Sequence, residues 1–257
     1  FIVGDGWPLG VMKATNEFMG IKFKEKSNLS VLIKDPKTRI LLQNTSSLSS
    51  VVTDSAPASV AWATGSKTVN RSLSSLPDGR SLKTIFELAK EKGLSCGFVT
   101  TTRVTHATPA AWYSHNSDRD DEENIAFDLL NADLKVVMGG GDRFFNGEKR
   151  KDRKDLYRIF ESKGYRVVKS KDELLSSISD EKPILGIFNS SHISSFVDRI
   201  NDEKLSKKEP SLPEMTAVAL KKLSKNKKGF VLQIEAGRID HACHANDAYS
   251  AMMECYE

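Results

Sequence analysis

Residues Ser81–Thr101, SLKTIFELAKEKGLSCGFVTT, decide the fold. Leu82, Ile85, Phe86 and Ala89 recur at helical spacing, so Ser81–Lys92 reads as an amphipathic helix. Gly93 ends it, and Leu94–Thr101 follows as an apolar strand. Outward from this unit the same alternation repeats. Phe1–Val3 is a short strand running into Gly4-Asp5-Gly6. Asn124–Leu130 is helical, and Leu134–Met138 is a strand closed by Gly139-Gly140-Gly141, read as a tight turn. Asp155–Lys163 is a helix stopped by Gly164, then Tyr165–Val168 a strand. Ile184–Phe188 is a strand, Pro213–Ser224 a helix and Gly229–Ile234 a strand. Alternating strands and helices give an α/β fold with a mostly parallel central sheet and helices on both faces. The charged stretch Asn146–Lys154 and the polar stretch Ile200–Pro210 read as solvated connections.

The 257 residues are enough to bury a sizeable core, and no composition shift marks a domain boundary, so residues 1–257 read as a single domain. Hydrophobic content of 39% and charged content of 28% are those of a globular protein. A net charge of +4 from scattered lysines gives no case for nucleic-acid binding. Cys96, Cys243 and Cys255 make neither a paired metal spacing nor a disulfide framework. No apolar run is long enough to span a bilayer. Phe1–Val3 reads as the tail of a strand, and Tyr256-Glu257 falls inside a helix-like pattern with Ala248, Met252 and Met253. A fragment cut at both ends is expected, with any signal peptide outside it.

In open α/β sheets ligands bind beyond the carboxyl ends of the strands. Asp5 follows the first strand, His106 and Thr108 follow Leu94–Thr101, and Glu235, Asp240, His241 and His244 follow Gly229–Ile234. Three separated segments therefore send oxygen and imidazole ligands to one sheet edge, which argues for a metal site. Asp240 and His244 are one helical turn apart if the backbone coils there. Carboxylate with imidazole suits zinc; carboxylate, hydroxyl and water suit magnesium. The bland alternative is a solvated loop with a histidine at a helix end. Cys243 reads as a small packed residue.

Thr53-Asp54-Ser55, followed by APASVAWATG over 56–65, places a serine at the mouth of a small-residue helix. A helix N-terminus favours an anion such as phosphate, and Pro57 fits the first turn. A serine hydroxyl needs a metal or a base to become a nucleophile. The alternative is that Asp54 and Ser55 simply cap a packed helix. Arg119 lies in the polar run Asn116–Glu123. It is either a surface arginine or a two-pronged clamp on phosphate oxygens.

Taken together, these stretches resemble the alkaline phosphatase family. The matching blocks, in the family's order, are Ile2–Gly6, Val52–Gly65, Lys67–Asn70, His106–Ala111, Ser117–Arg119, Gly139–Gly141, Pro210–Met215 and Glu235–Asn246. The resemblance implies a three-layer sandwich that hydrolyses phosphate monoesters through a phosphoserine, at a site of two zinc ions and one magnesium ion. It implies that Ser55 is the nucleophile and a zinc ligand, and that Arg119 clamps phosphate. Asp5 would be shared by a zinc and magnesium, Thr108 and Glu235 would complete the magnesium set, and Asp240 and His244 would hold the other zinc. His106 and His241 resemble an animal-type pairing near the substrate. The family's further Asp-His pair and final histidine do not occur before Glu257, so each zinc set lacks ligands and little turnover is expected of these residues alone. Export, whether periplasmic, secreted or surface-anchored, and a possible homodimer follow from the same resemblance.

Three departures border the site: Trp7-Pro8 after Gly-Asp-Gly, Pro57 in place of a small residue, and Arg71 where glycine is common. The rival readings are a related metal-dependent phosphodiesterase or sulfatase, and an inactive relative that binds metal or phosphate.

Overall fold

The computed structural model describes residues 1–25 and 27–257. Among the described residues six strands form one all-parallel sheet: β1 Ile2–Gly4, β2 Ser95–Arg103, β3 Val136–Gly140, β4 Arg166–Val168, β5 Ile184–Ile187 and β6 Phe230–Ala236. Their spatial order is β1-β6-β2-β3-β5-β4.

Period-two alternation along the central strands splits the interior into two cores. Cys96 and Phe98 of β2, Val137 of β3 and Leu185 of β5 join one. Helices Ser55–Thr64, Ile85–Glu91, Glu122–Ala132 and Leu156–Ser162 cover it with Val60, Phe86, Ile125 and Phe160. Val99, Val136, Met138 and Ile184 point to the other, covered by Leu174 and by Met215, Val218 and Leu223 of helix Leu212–Leu223. Helices therefore lie on both faces of the sheet.

The helix of the deciding segment begins at Ile85 rather than Ser81. Thr84 caps it and Glu87 reaches back to the Thr84 N–H, a reciprocal box that satisfies two free N–H groups. Ser81 is instead held in a bridge to Ser75.

Three expectations are corrected. Gly139 and Gly140 lie inside β3, and only Gly141 turns, at φ 112°. A Cβ on Gly140 would sit 1.9 Å from the Ser191 carbonyl oxygen, so glycine here admits the Ser190–Ser194 loop against the strand. Asn146–Lys154 is not simply solvated: Arg150 is buried, donates to the Glu123 and Phe144 carbonyls and pairs with Asp152 at 2.8 Å. The polar stretch Ile200–Pro210 contains helix Glu203–Lys208 and ends in a buried Glu209, which accepts from Asn189 and from Ser194.

Candidate active site

Parallel register brings the ligands together. Val3 and Thr100 both pair with Glu235, so the ends of β1, β6 and β2 are level. The next residue after β1 is Asp5, and its N–H donates to the Ala236 carbonyl. Gly6 then turns at φ 57°, and a Cβ there would meet Asp240 Oδ1 at 2.2 Å. The Gly-Asp-Gly turn thus combines a left-handed backbone with a close approach to Asp240.

Asp5, His106 and Glu235 each offer a ligand atom within 4.8 Å of the other two. Glu235 is wholly buried; its Oε2 accepts from Thr100 and, at 3.1 Å, from Thr102. Its Oε1, the Thr108 hydroxyl and His106 Nδ1 are buried without partners among the described residues. Thr108 is fixed through its carbonyl, which accepts from Ser59 at 2.6 Å and from Gln233 at 3.0 Å. Burial, and then the charge of Asp240, push the Asp5 carboxyl up to about 6. Burial, and then Asp5, push Glu235 up to about 7. Two carboxylates raised by burial and by neighbouring negative charge, with orphaned oxygens around them, fit a hard divalent cation such as magnesium.

Asp240 and His244 lie one turn apart on helix Arg238–His244, with His244 Nε2 3.5 Å from Asp240 Oδ2. A carboxylate and an imidazole at that spacing fit half of a tetrahedral zinc site.

Ser55 and Asp54 divide the two roles open to them. Asp54 caps helix Ser55–Thr64, Oδ1 accepting from the Ala56 N–H at 2.8 Å. Ser55 is left to face the carboxylates, donating to Asp5 Oδ2 at 3.1 Å. Arg119 is no surface arginine: its side chain is 16% exposed, donates to His106 Nε2 at 3.0 Å and lies 3.8 Å from Asp54.

Histidine His192, with Arg103 and Arg238, was not legible in the sequence. The His192 ring centroid is 4.2 Å from that of His241 and 5.6 Å from that of His106. Each ring accepts from a guanidinium: Arg103 on His192, Arg119 on His106, and Arg238 on His241 at 2.8 Å. A guanidinium only donates, so each imidazole is held neutral. Burial, and then Arg103, press His192 down to about 2; burial, and then Arg238, press His241 to about 4; burial, and then Arg119, lower His106. The available signal was Gly140, whose missing side chain admits the His192 loop.

A serine, two buried carboxylates and a guanidinium thus gather at the carboxyl edge of a parallel α/β sheet, the edge at which proteins of this fold class bind ligands. The family model for alkaline phosphatase matches residues 1–257, and the chain belongs to the alkaline phosphatase family. It is 38% identical to alkaline phosphatase 4 of Bacillus subtilis over 209 residues, 79% of this chain and 43% of that protein. It is 31% identical to the human tissue-nonspecific isozyme over 302 aligned positions, 99% of this chain and 57% of that protein. The alkaline phosphatase of Thermus thermophilus superposes with a TM-score of 0.91 at 42% identity, over 98% of this chain and 52% of that one. A variant of the TAB5 alkaline phosphatase, with a TM-score of 0.84 at 27% identity over 98% of this chain and 68% of that one, was solved with Mg bound. The chain spans about half the length of the curated relatives it matches.

Proposed function

We propose that the full-length protein hydrolyses phosphate monoesters through a phosphoserine at Ser55, with residues 1–257 forming part of one catalytic unit. The observation that carries this reading is the Ser55 hydroxyl at a helix N-terminus, bonded to Asp5 beside Glu235 and opposite Arg119. Asp5, Thr108 and Glu235 would hold magnesium; Asp240 and His244 would hold one zinc, and Asp5 with Ser55 a second. When bound, these ions supply positive charge that acidifies the serine hydroxyl and offsets the phosphoryl oxygens.

Ser55 Oγ attacks phosphorus in line, the bond to the leaving oxygen breaks, and that oxygen leaves as the alcohol once protonated. Water then adds to phosphorus, the Ser55 Oγ–phosphorus bond breaks, and inorganic phosphate and free serine result. Arg119 presents N–H groups to two phosphoryl oxygens, and the N–H groups at the start of helix Ser55–Thr64 add positive potential. Arg119 is steered by His106, and the neutral His106 and His241 offer hydrogen bonds without a fixed charge.

The test is hydrolysis of p-nitrophenyl phosphate by the full-length protein with zinc and magnesium, with and without Ser55→Ala. Chelator-insensitive turnover, equal in both, would refute it. Residues 1–257 alone are expected to turn over little, because Asp240 and His244 give zinc two ligands where three or four are usual. Faster hydrolysis of phosphodiesters or sulfate esters would move the protein to a sister activity. Export and a homodimer belong to the same proposal, to be checked by the position of the protein in fractionated cells and by sedimentation. Among the described residues no helix is long and apolar enough to cross a membrane.

A further inference from the structure

Arg71 adopts φ 74°, a left-handed conformation that costs a non-glycine residue free energy. Four contacts surround it. Its N–H donates to Asp54 Oδ2 at 2.9 Å, and its carbonyl accepts from the Arg119 N–H at 2.8 Å. Its guanidinium donates to Asp118 at 2.7 Å and to Asp120 at 2.6 Å. Asp118 and Asp120 are the two sequence neighbours of Arg119, and both side chains are more than half exposed.

A carboxylate on either side of an arginine is a natural competitor for its guanidinium. Among the described residues, the Arg119 guanidinium nevertheless has only His106 and the more distant Asp54 as partners. Both flanking carboxylates are turned outward onto Arg71.

We infer that Arg71 is a positioning residue for phosphate recognition: it draws Asp118 and Asp120 away from Arg119 and pins the Arg119 backbone, leaving that guanidinium free for a phosphoryl group. The inference rests on the proposed role of Arg119. Asp54 is tied to the same residue, so the cap of the Ser55 helix and the clamp loop share one anchor. The ion pairs are exposed, so the effect is modest and sensitive to salt.

The experiment measures binding of inorganic phosphate to the full-length, metal-loaded protein by calorimetry, alongside KM and kcat for p-nitrophenyl phosphate. Arg71→Gly suits the left-handed backbone conformation and removes the side chain with its guanidinium. It is expected to weaken phosphate binding about two- to fivefold at low salt, raise KM by a similar factor, and leave the melting temperature nearly unchanged. Adding Asp118→Asn and Asp120→Asn to Arg71→Gly should restore binding, because the competitors are gone. In an Arg119→Ala background, Arg71→Gly should have no further effect. Undiminished binding in Arg71→Gly, failure of the asparagines to restore it, or an equal loss in the Arg119→Ala background would overturn the inference. Unchanged phosphate binding in Arg119→Ala alone would instead overturn the reading of the clamp, and this inference with it.

Discussion

At the scale of single residues, the site is a set of polar atoms that burial has left short of partners. Glu235 Oε1, the Thr108 hydroxyl and His106 Nδ1 are shut off from water without a hydrogen bond among the described residues. Such atoms cost free energy until a ligand satisfies them. Arg119 differs in being only partly committed, since a neutral imidazole is a weaker partner than a phosphate. Arg119→Ala is therefore expected to weaken inorganic phosphate roughly ten- to hundredfold, the usual range for lost hydrogen bonds to a charged group. Calorimetry on the full-length protein checks this, and a change below twofold would count against a clamp. Much of this was legible from residue types: Ser55, Asp5 and Glu235 do come together. Their neighbours were not all legible. His192, some fifty residues from His241 in the chain, meets it only because β5 and β6 deliver their loops to one edge.

At the scale of elements, turns and caps do the aiming. Asp54 holds the first turn of helix Ser55–Thr64 through the Ala56 N–H and ties it to the Arg71 N–H. Asp54→Ala is expected to cost about 0.5–2 kcal/mol of stability as a lost cap. Chemical denaturation reads it out; a change within a few tenths would show that the cap is not sustaining the helix. The turn after β1 is more demanding. Gly6→Ala adds a side chain at positive φ, against Asp240 Oδ1. Asp240 must then shift, so zinc affinity should fall at least tenfold while helix content by circular dichroism is kept. Zinc titration with unaltered affinity would show that Asp240 is not a ligand. Helix and strand identity in the central segments followed from period and punctuation. The buried Arg150 and the extended Gly139-Gly140 did not, because they depend on the Glu123 carbonyl and on the Ser191 loop, both distant in sequence; the Thr84 box is local, Thr84 and Glu87 standing three residues apart.

At the scale of the molecule, the cost of gathering carboxylates shows in the pH dependence of stability. Asp5 and Glu235 have folded-state values raised to about 6 and about 7. Burial also raises Glu254 to about 7. An acid raised on folding adds stability that is full below its unfolded value and lost as pH rises through the folded one. The lowered histidines work the other way, losing stability as pH falls below their ordinary value near 6.5. Between pH 6.5 and 8 the carboxylates dominate. The metal-free protein should lose stability across that window, on the order of 1 kcal/mol per pH unit for each carboxylate still titrating. Glu235→Gln should flatten the slope. Magnesium and zinc should raise the melting temperature most at pH 8, since they bind the ionised carboxylates of the native state. Melting curves with and without the ions decide it, and a metal-free stability that rises from pH 6.5 to 8 would contradict the assignment.

The amino-acid order by itself determined the parallel α/β architecture, since apolar runs alternating with amphipathic helices have few other ways to bury both strand faces. It also determined which residue types stand at strand ends, because the side-chain pattern of a strand runs out where glycine and aspartate begin. Only the tertiary structure decided which of those residues meet. Strand order and register set β1, β6 and β2 level, so that Asp5, His106 and Glu235 converge within 4.8 Å. The same long-range packing turned Asp118 and Asp120 onto Arg71, an arrangement that no local spacing encodes because an ion pair depends on distance in space rather than along the chain.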